Sequence, residues 1–172
     1  DTEDGNLIND VVVTGSVDAS VAGVYKLIYS VTDSDGNITS ATQVVLVNDG
    51  SFKAGNTFII SAHDFVIGLG RVDTAPAAIK AGAKVKVFDK TTGDITSEAV
   101  NIANDGGYSA VLGTYNIQFE VISDTAANVT IQAEVVTGEI PILTVPAFTV
   151  INVNGSFNPL TGVSASDSED GN

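Results

Sequence analysis

Gly23-Val24-Tyr25-Lys26-Leu27-Ile28-Tyr29-Ser30-Val31 decides how this chain is read. Tyr25, Leu27, Tyr29 and Val31 fall on every second position, the period at which strand side chains share one face. Asp33-Ser34-Asp35-Gly36-Asn37 follows, a cluster of residues that favour a tight turn for backbone reasons. Gln43-Val44-Val45-Leu46-Val47 then reads as the return strand. Ninety residues later the pattern is written again as Gly113-Thr114-Tyr115-Asn116-Ile117-Gln118-Phe119-Glu120-Val121. Tyr115, Ile117, Phe119 and Val121 are expected inward, with polar Asn116, Gln118 and Glu120 outward. Ser123 to Asn128 is the expected second turn, and Val129 to Val136 the second return strand.

Outward from these hairpins, short Val, Ile and Thr runs alternate with Gly, Asn, Asp and Ser clusters. That is the pattern of an all-β sandwich. One short helix is expected over Ala75 to Ala81, with Thr74 as its cap, Pro76 in its first turn and Gly82 beyond its end. Apolar residues make up 44% of the chain and charged ones 16%, which supports real cores and excludes wholesale disorder. No apolar run approaches the ~20 residues needed to span a membrane, and no signal peptide, anchor or sorting motif is visible. Without cysteine there is no disulfide or thiolate metal site. A net charge of −14 with seven Lys and Arg argues against nucleic acid, whose phosphates need clustered cations.

The first six residues, Asp1-Thr2-Glu3-Asp4-Gly5-Asn6, return as Asp167-Ser168-Glu169-Asp170-Gly171-Asn172, 166 residues later. A chain that restates its beginning reads as one period of a tandem array, with the cut inside a domain. Arrays of this kind serve as spacers or scaffolds.

Gly-x-Tyr ahead of each long strand is the pattern of a tyrosine corner, in which the hydroxyl bonds back to a nearby backbone group. Residues 162–172 resemble the first half of a bacterial immunoglobulin-like surface domain. Residues 4–17, with Gly23 to Val31 and the Asp33–Asn37 turn, resemble its second half. Such domains recur in tandem in adhesins and other secreted proteins of Gram-positive bacteria. The resemblance covers residues 1–47 and about 141–172. Residues 51–140 resemble a related module more loosely, with Asp89-Lys90-Thr91-Thr92-Gly93-Asp94 where the acidic turn would stand.

The resemblance implies immunoglobulin-like sandwich repeats, one complete and one split between the chain ends. Residues 51–140 would be the complete domain. Residues 1–47 would be the C-terminal part of a repeat, and 141–172 the N-terminal strands of the next. The linkers, 48–50 and 137–141, are short, so neighbouring domains should be stiffly coupled. The implied location is extracellular, on a bacterial cell surface. The implied partners are neighbouring repeats, head to tail, with strand exchange between copies open to an isolated chain. The function this implies is a stiff spacer in an adhesin-like stalk or fibre.

Candidate sites are few. His63 stands beside Asp64, which on a strand would put the two on opposite faces; with no nucleophile motif the chain does not read as an enzyme. Gly68-Leu69-Gly70 lacks the Lys and the helix of a phosphate loop. In an immunoglobulin-like sandwich the B–C and F–G loops share one end. If residues 1–6 and 33–37 are those loops, Asp1, Glu3, Asp4, Asp33 and Asp35 converge. Calcium, which takes six to eight oxygens, suits such a cluster; the plain alternative is two ordinary turns. Surface proteins of the resembled kind sometimes carry Lys–Asn isopeptide bonds. Lys84 and Lys86, with Asn101 and Asn116, are the residues to inspect, although Lys84 and Lys86 read as a solvated face opposite Val85 and Val87. The alternative function is a glycan- or protein-binding sandwich, for which Tyr108 is the one tyrosine in a turn region.

Overall fold

The structure, a computed structural model, describes residues 3–138, 142–150, 153 and 156–166. The chain is all-β. Strands β1 (Val12–Thr14), β2 (Gly23–Thr32) and β3 (Ile38–Val47) form a three-stranded antiparallel sheet in that order. There follow β4 (Phe52–Ala54), β5 (Phe58–Ser61), β6 (Phe65–Gly68), helix α1 (Pro76–Gly82), β7 (Lys86–Asp89), β8 (Ile95–Thr96), β9 (Val100–Asn104), β10 (Gly113–Val121) and β11 (Asp124–Val136). They build two four-stranded sheets, ordered β4-β5-β7-β8 and β6-β11-β10-β9. Last, β12 (Ile142–Thr144) and β13 (Ser164–Ser166) pair as a separate ribbon.

The two four-stranded sheets face each other as an immunoglobulin-like sandwich. Along β11, Val129, Ile131, Ala133 and Val135 are buried while Thr130, Gln132 and Glu134 are exposed, the period of two that a half-buried strand requires. Ile60 and Val87 from the opposite sheet, and Ile79 from α1, meet Ile117, Phe119 and Ile131 in one core. Among the described residues, every buried one lies between Phe52 and Val135. The long strands fall where their periodicity puts them, but β3 begins at Ile38, five residues before the expected Gln43, because its first half pairs with β2 right up to the turn.

Three local expectations are corrected. His63 is not on a strand: Ala62-His63-Asp64 carries the chain from one sheet to the other, between β5 and β6. The His63 N–H donates to the Ala83 carbonyl, 2.9 Å, and its ring stands edge-on to Phe52. Asp64 Oδ1 accepts the Gln132 N–H at 2.7 Å, which seats β6 beside β11. The two strands run parallel there.

The helix starts and stops differently from expectation. Asp73, rather than Thr74, accepts the Ala75 N–H, at 2.8 Å. Gly82 lies inside the helix, and a Cβ there would meet the Phe65 ring at 3.4 Å. The left-handed position that ends the helix falls to Lys84, at φ 51°. Its N–H donates to the Ala81 carbonyl and that of Val85 to Lys80, the closure of a Schellman motif.

The second hairpin turn is also tighter than expected. Val121 pairs with Asp124 across Ile122-Ser123, and Glu120 with Asn128. Thr125, Ala126 and Ala127 therefore bulge out of the ladder.

Candidate functional site

The two acidic turns meet. Asp4 Oδ2 accepts the Ser34 N–H at 3.1 Å. Within the turn, Asp33 Oδ1 accepts the Asn37 N–H at 2.7 Å and Asp33 Oδ2 accepts its side-chain amide at 2.8 Å. The Asn37 side chain, and then its N–H, hold the Asp33 carboxyl below its ordinary pKa. Both Asp33 oxygens therefore have partners inside the turn. Asp35 and Glu3 are exposed, and Asp1 lies outside the described residues. Among the described residues, no three His, Cys, Asp or Glu side chains form a group suited to a metal ion. Beside the turn lies an open groove of about 420 Å³ bordered by Asn6, Leu7, Asp33, Asn37 and Ile38.

Asp124 is the carboxylate that the sequence reading passed over. It is only 6% exposed. Its Oδ2 accepts the Thr57 and Phe58 N–H groups at 2.7 and 3.1 Å, and its Oδ1 the Asn56 amide at 3.2 Å. The Thr57 bond is the main cause of its lowered pKa, against the raising effect of burial. One side chain thus ties the β10–β11 hairpin of one sheet to the β4–β5 turn of the other. Gly55 is required at that turn, since a Cβ would come within 2.5 Å of the Ala127 nitrogen. All three partners lie more than sixty residues upstream, so no local pattern announces them.

Between β3 and β4 the linker is itself hydrogen-bonded. Asn48 Oδ1 accepts the Gly50 N–H at 2.8 Å and the Phe52 N–H at 3.3 Å, while its amide donates to the Phe52 carbonyl at 3.0 Å. Asp49 Oδ1 takes the Ser51 N–H and hydroxyl at 3.0 and 2.6 Å. Across this joint, the β7–β8 turn rests on the three-stranded sheet. Lys26 Nζ and Asp94 Oδ1 are 2.8 Å apart. A Cβ at Gly93 would meet Val44, the cross-strand partner of Lys26, at 3.3 Å. Asp89 shapes that turn by accepting the Thr91 and Thr92 N–H groups at 2.7 and 2.8 Å. An exposed ion pair contributes little energy.

Both tyrosine corners form. Tyr25 donates its hydroxyl to the Val21 carbonyl at 2.8 Å, and Tyr115 to Val111 at 2.7 Å, each four residues back. Tyr108 is not an exposed binding aromatic: it is buried edge-on against Phe65 and Tyr115, and burial raises its pKa. Lys84 caps a helix rather than lying on a strand, and Lys84, Lys86, Asn101 and Asn116 are all exposed, unlike a buried cross-link site. A polar cavity of about 480 Å³ beside the crossover is bordered by Asp49, Ser51, His63, Asp64, Asn116 and Gln132.

Residues 1–47 match the family model described as "Bacterial surface protein, Ig-like domain". Over this segment the chain is similar to the immunoglobulin-like domains of bacterial surface proteins. The chain is also 28% identical over 145 residues to an uncharacterized 81.3 kDa protein of Acholeplasma phage L2. That alignment covers 82% of this chain and 18% of the phage protein, so the chain spans under a fifth of its relative. Among the described residues no helix is long and apolar enough to cross a membrane.

Proposed function

We propose that this chain is a stiff spacer repeat of a surface-exposed stalk or fibre. In this reading residues 51–140 form one complete domain, 1–47 the C-terminal part of a repeat, and 141–172 the first strands of the next. The observation that supports it best is the joint at residues 48–51, where the linker's own side chains bond its backbone while Lys26–Asp94 and Gly93–Val44 brace it from the side. A linker built for free rotation would leave those groups to water. The surface family matched by residues 1–47 agrees with this use, and the acidity of the chain keeps long copies apart and soluble.

Small-angle scattering tests the reading. The native chain should fit one orientation of the three-stranded sheet against the sandwich. Inserting four Gly-Ser residues after Asp49 should broaden it to many. Equal breadth before and after insertion would remove the spacer reading.

Because that relative comes from a phage, a second placement of the same spacer, on a phage particle rather than a cell, is open to test. Labelling cells and particles with an antibody to the sandwich separates the two. A binding module would need exposed aromatics; among the described residues, Phe148 and Phe157 are the large exposed ones, and both lie around the β12–β13 ribbon. Calcium at the Asp4–Asp33 junction is a further proposal, supported by the Ser34–Asp4 bond that brings the acidic turns together. Its test is a melting curve in chelator against millimolar calcium: a rise in Tm supports it and superimposed curves reject it.

A further inference from the structure

We propose that the β12–β13 ribbon of one copy of this chain closes the open face of the β1–β2–β3 sheet of another copy. The N-terminal sheet is then completed between copies. The proposal rests on the repeat reading above for why copies are neighbours; the docking itself rests on four observations.

The first is a matched pair of strands. Tyr25, Leu27, Tyr29 and Val31 on β2 occupy the positions of Tyr115, Ile117, Phe119 and Val121 on β10, ninety residues on. Ile117, Phe119 and Val121 are fully buried, whereas all four β2 residues are only half-buried. The sequence prepares the same apolar face in both places and the fold covers one.

The second observation is what does the covering. The sheet over β10 and β11 is β4-β5-β7-β8, which begins 61 residues before β10 and ends 17 before it. Counted back from β2 on the 166-residue period, that window is residues 128–172 of a preceding copy. It contains both strands of the ribbon. It ends where Asp167–Asn172 restates Asp1–Asn6 in sequence, so the ribbon leads into β1 in the right order.

Third, the ribbon exposes the material a covering layer needs. Leu143 is 68% exposed, Phe148 81% and Leu160 71%. Large apolar side chains left exposed are the raw material of an interaction face, and a lone two-stranded ribbon is marginal in water. Fourth, β12 and β13 hydrogen-bond as a sheet of their own, and β1-β2-β3 as another. In the chain the whole sandwich lies between them. The occupant that fits is therefore a second copy, joined head to tail, which gives an open chain rather than a closed ring.

Light scattering over a range of concentrations tests this on the full chain. The mass should rise at least about twofold as concentration increases, by mass action. The double variant Leu143→Asp, Phe148→Asp should stay monomeric while the sandwich melts at an unchanged temperature, because neither residue touches its core. A circular permutant that joins Asn172 to Leu7 and opens the chain after Val47 should be monomeric, with β2 amides slowed. The proposal is overturned if the native chain is monomeric throughout, or if association survives the double variant. It is equally overturned if β2 is already protected at high dilution, which would mean closure within one molecule. The spacer reading fails separately, on the 48–51 insertion, so the two failures are distinguishable.

Discussion

The β2–β3 hairpin and the β10–β11 hairpin are the same idea at two stages of completion. Each opens on Gly-x-Tyr, each forms a tyrosine corner four residues back, and each alternates apolar with polar or exposed positions for the length of the strand. One meets a second sheet and excludes water from Phe119; the other leaves Tyr29, at the equivalent position, half-exposed. Local pattern writes a strand and its inward face, and a separate stretch of chain decides whether that face becomes a core.

Substitution at the matched pair should show the largest effect. Phe119→Ala should cost about 3–5 kcal/mol, the lost transfer energy plus the cavity left behind. Tyr29→Ala should cost the dilute chain far less, because water already reaches the site. Denaturant melts of the two variants check this. Equal losses would mean that β2 is closed as tightly as β10.

Acid should come next, through Asp124. Its folded-state pKa is lowered from the usual 3.8, so it gives stability that is fully present above that value. The contribution is lost as pH falls through the folded pKa. Below about pH 4 the sandwich should weaken, and Asp124→Asn should remove that part of the slope while lowering Tm at neutral pH. Asp33 carries the same sign, but its bonds stay within one turn, so Asp33→Asn should spare the sandwich. Melts of the three proteins from pH 3 to pH 7 decide it. A native slope in Asp124→Asn would refute the clamp.

The hydroxyl bonds should be smaller. Tyr115→Phe should cost about 0.5–1.5 kcal/mol if the bond to Val111 counts toward global stability. Tyr25→Phe should act on the three-stranded sheet alone, visible by local exchange and not in the sandwich melt. Smallest, and opposite in sign, is Lys84→Gly. A side chain at a left-handed position costs of order 1 kcal/mol, partly offset by the greater unfolded freedom of glycine. A gain of about 0.5 kcal/mol in the sandwich melt is expected; a loss would mean that the Lys84 stem packs usefully.

These residues also show what the sequence makes legible. Gly23 to Val31, Gly113 to Val121 and both corner tyrosines could be read because period, turn residues and the Gly-x-Tyr spacing are local. Asp124 could not, because its partners at Thr57 and Phe58 come from another sheet. Lys84 was hidden by Gly82, which reads as the helix stop but lies inside the helix. Tyr108 sits next to Gly106-Gly107 and so reads as an exposed turn residue; it is buried by Phe65, 43 residues upstream. Of the acidic residues, the Asp4 contact with the 33–37 turn was foreseeable from the shared end of the two loops. That Asn37 would take both Asp33 oxygens was not, since it depends on the turn's own geometry.

Amide hydrogen exchange on this chain and on two copies of it joined head to tail tests the central claim most directly. In the dilute single copy, β2 and β3 amides should exchange at least about tenfold faster than those of β10 and β11, because a sheet without a partner opens locally. In the joined chain, one of the two β2–β3 sheets should slow to the sandwich's rate. Equal protection of β2 and β10 in the dilute single copy, unchanged on joining, would contradict the account.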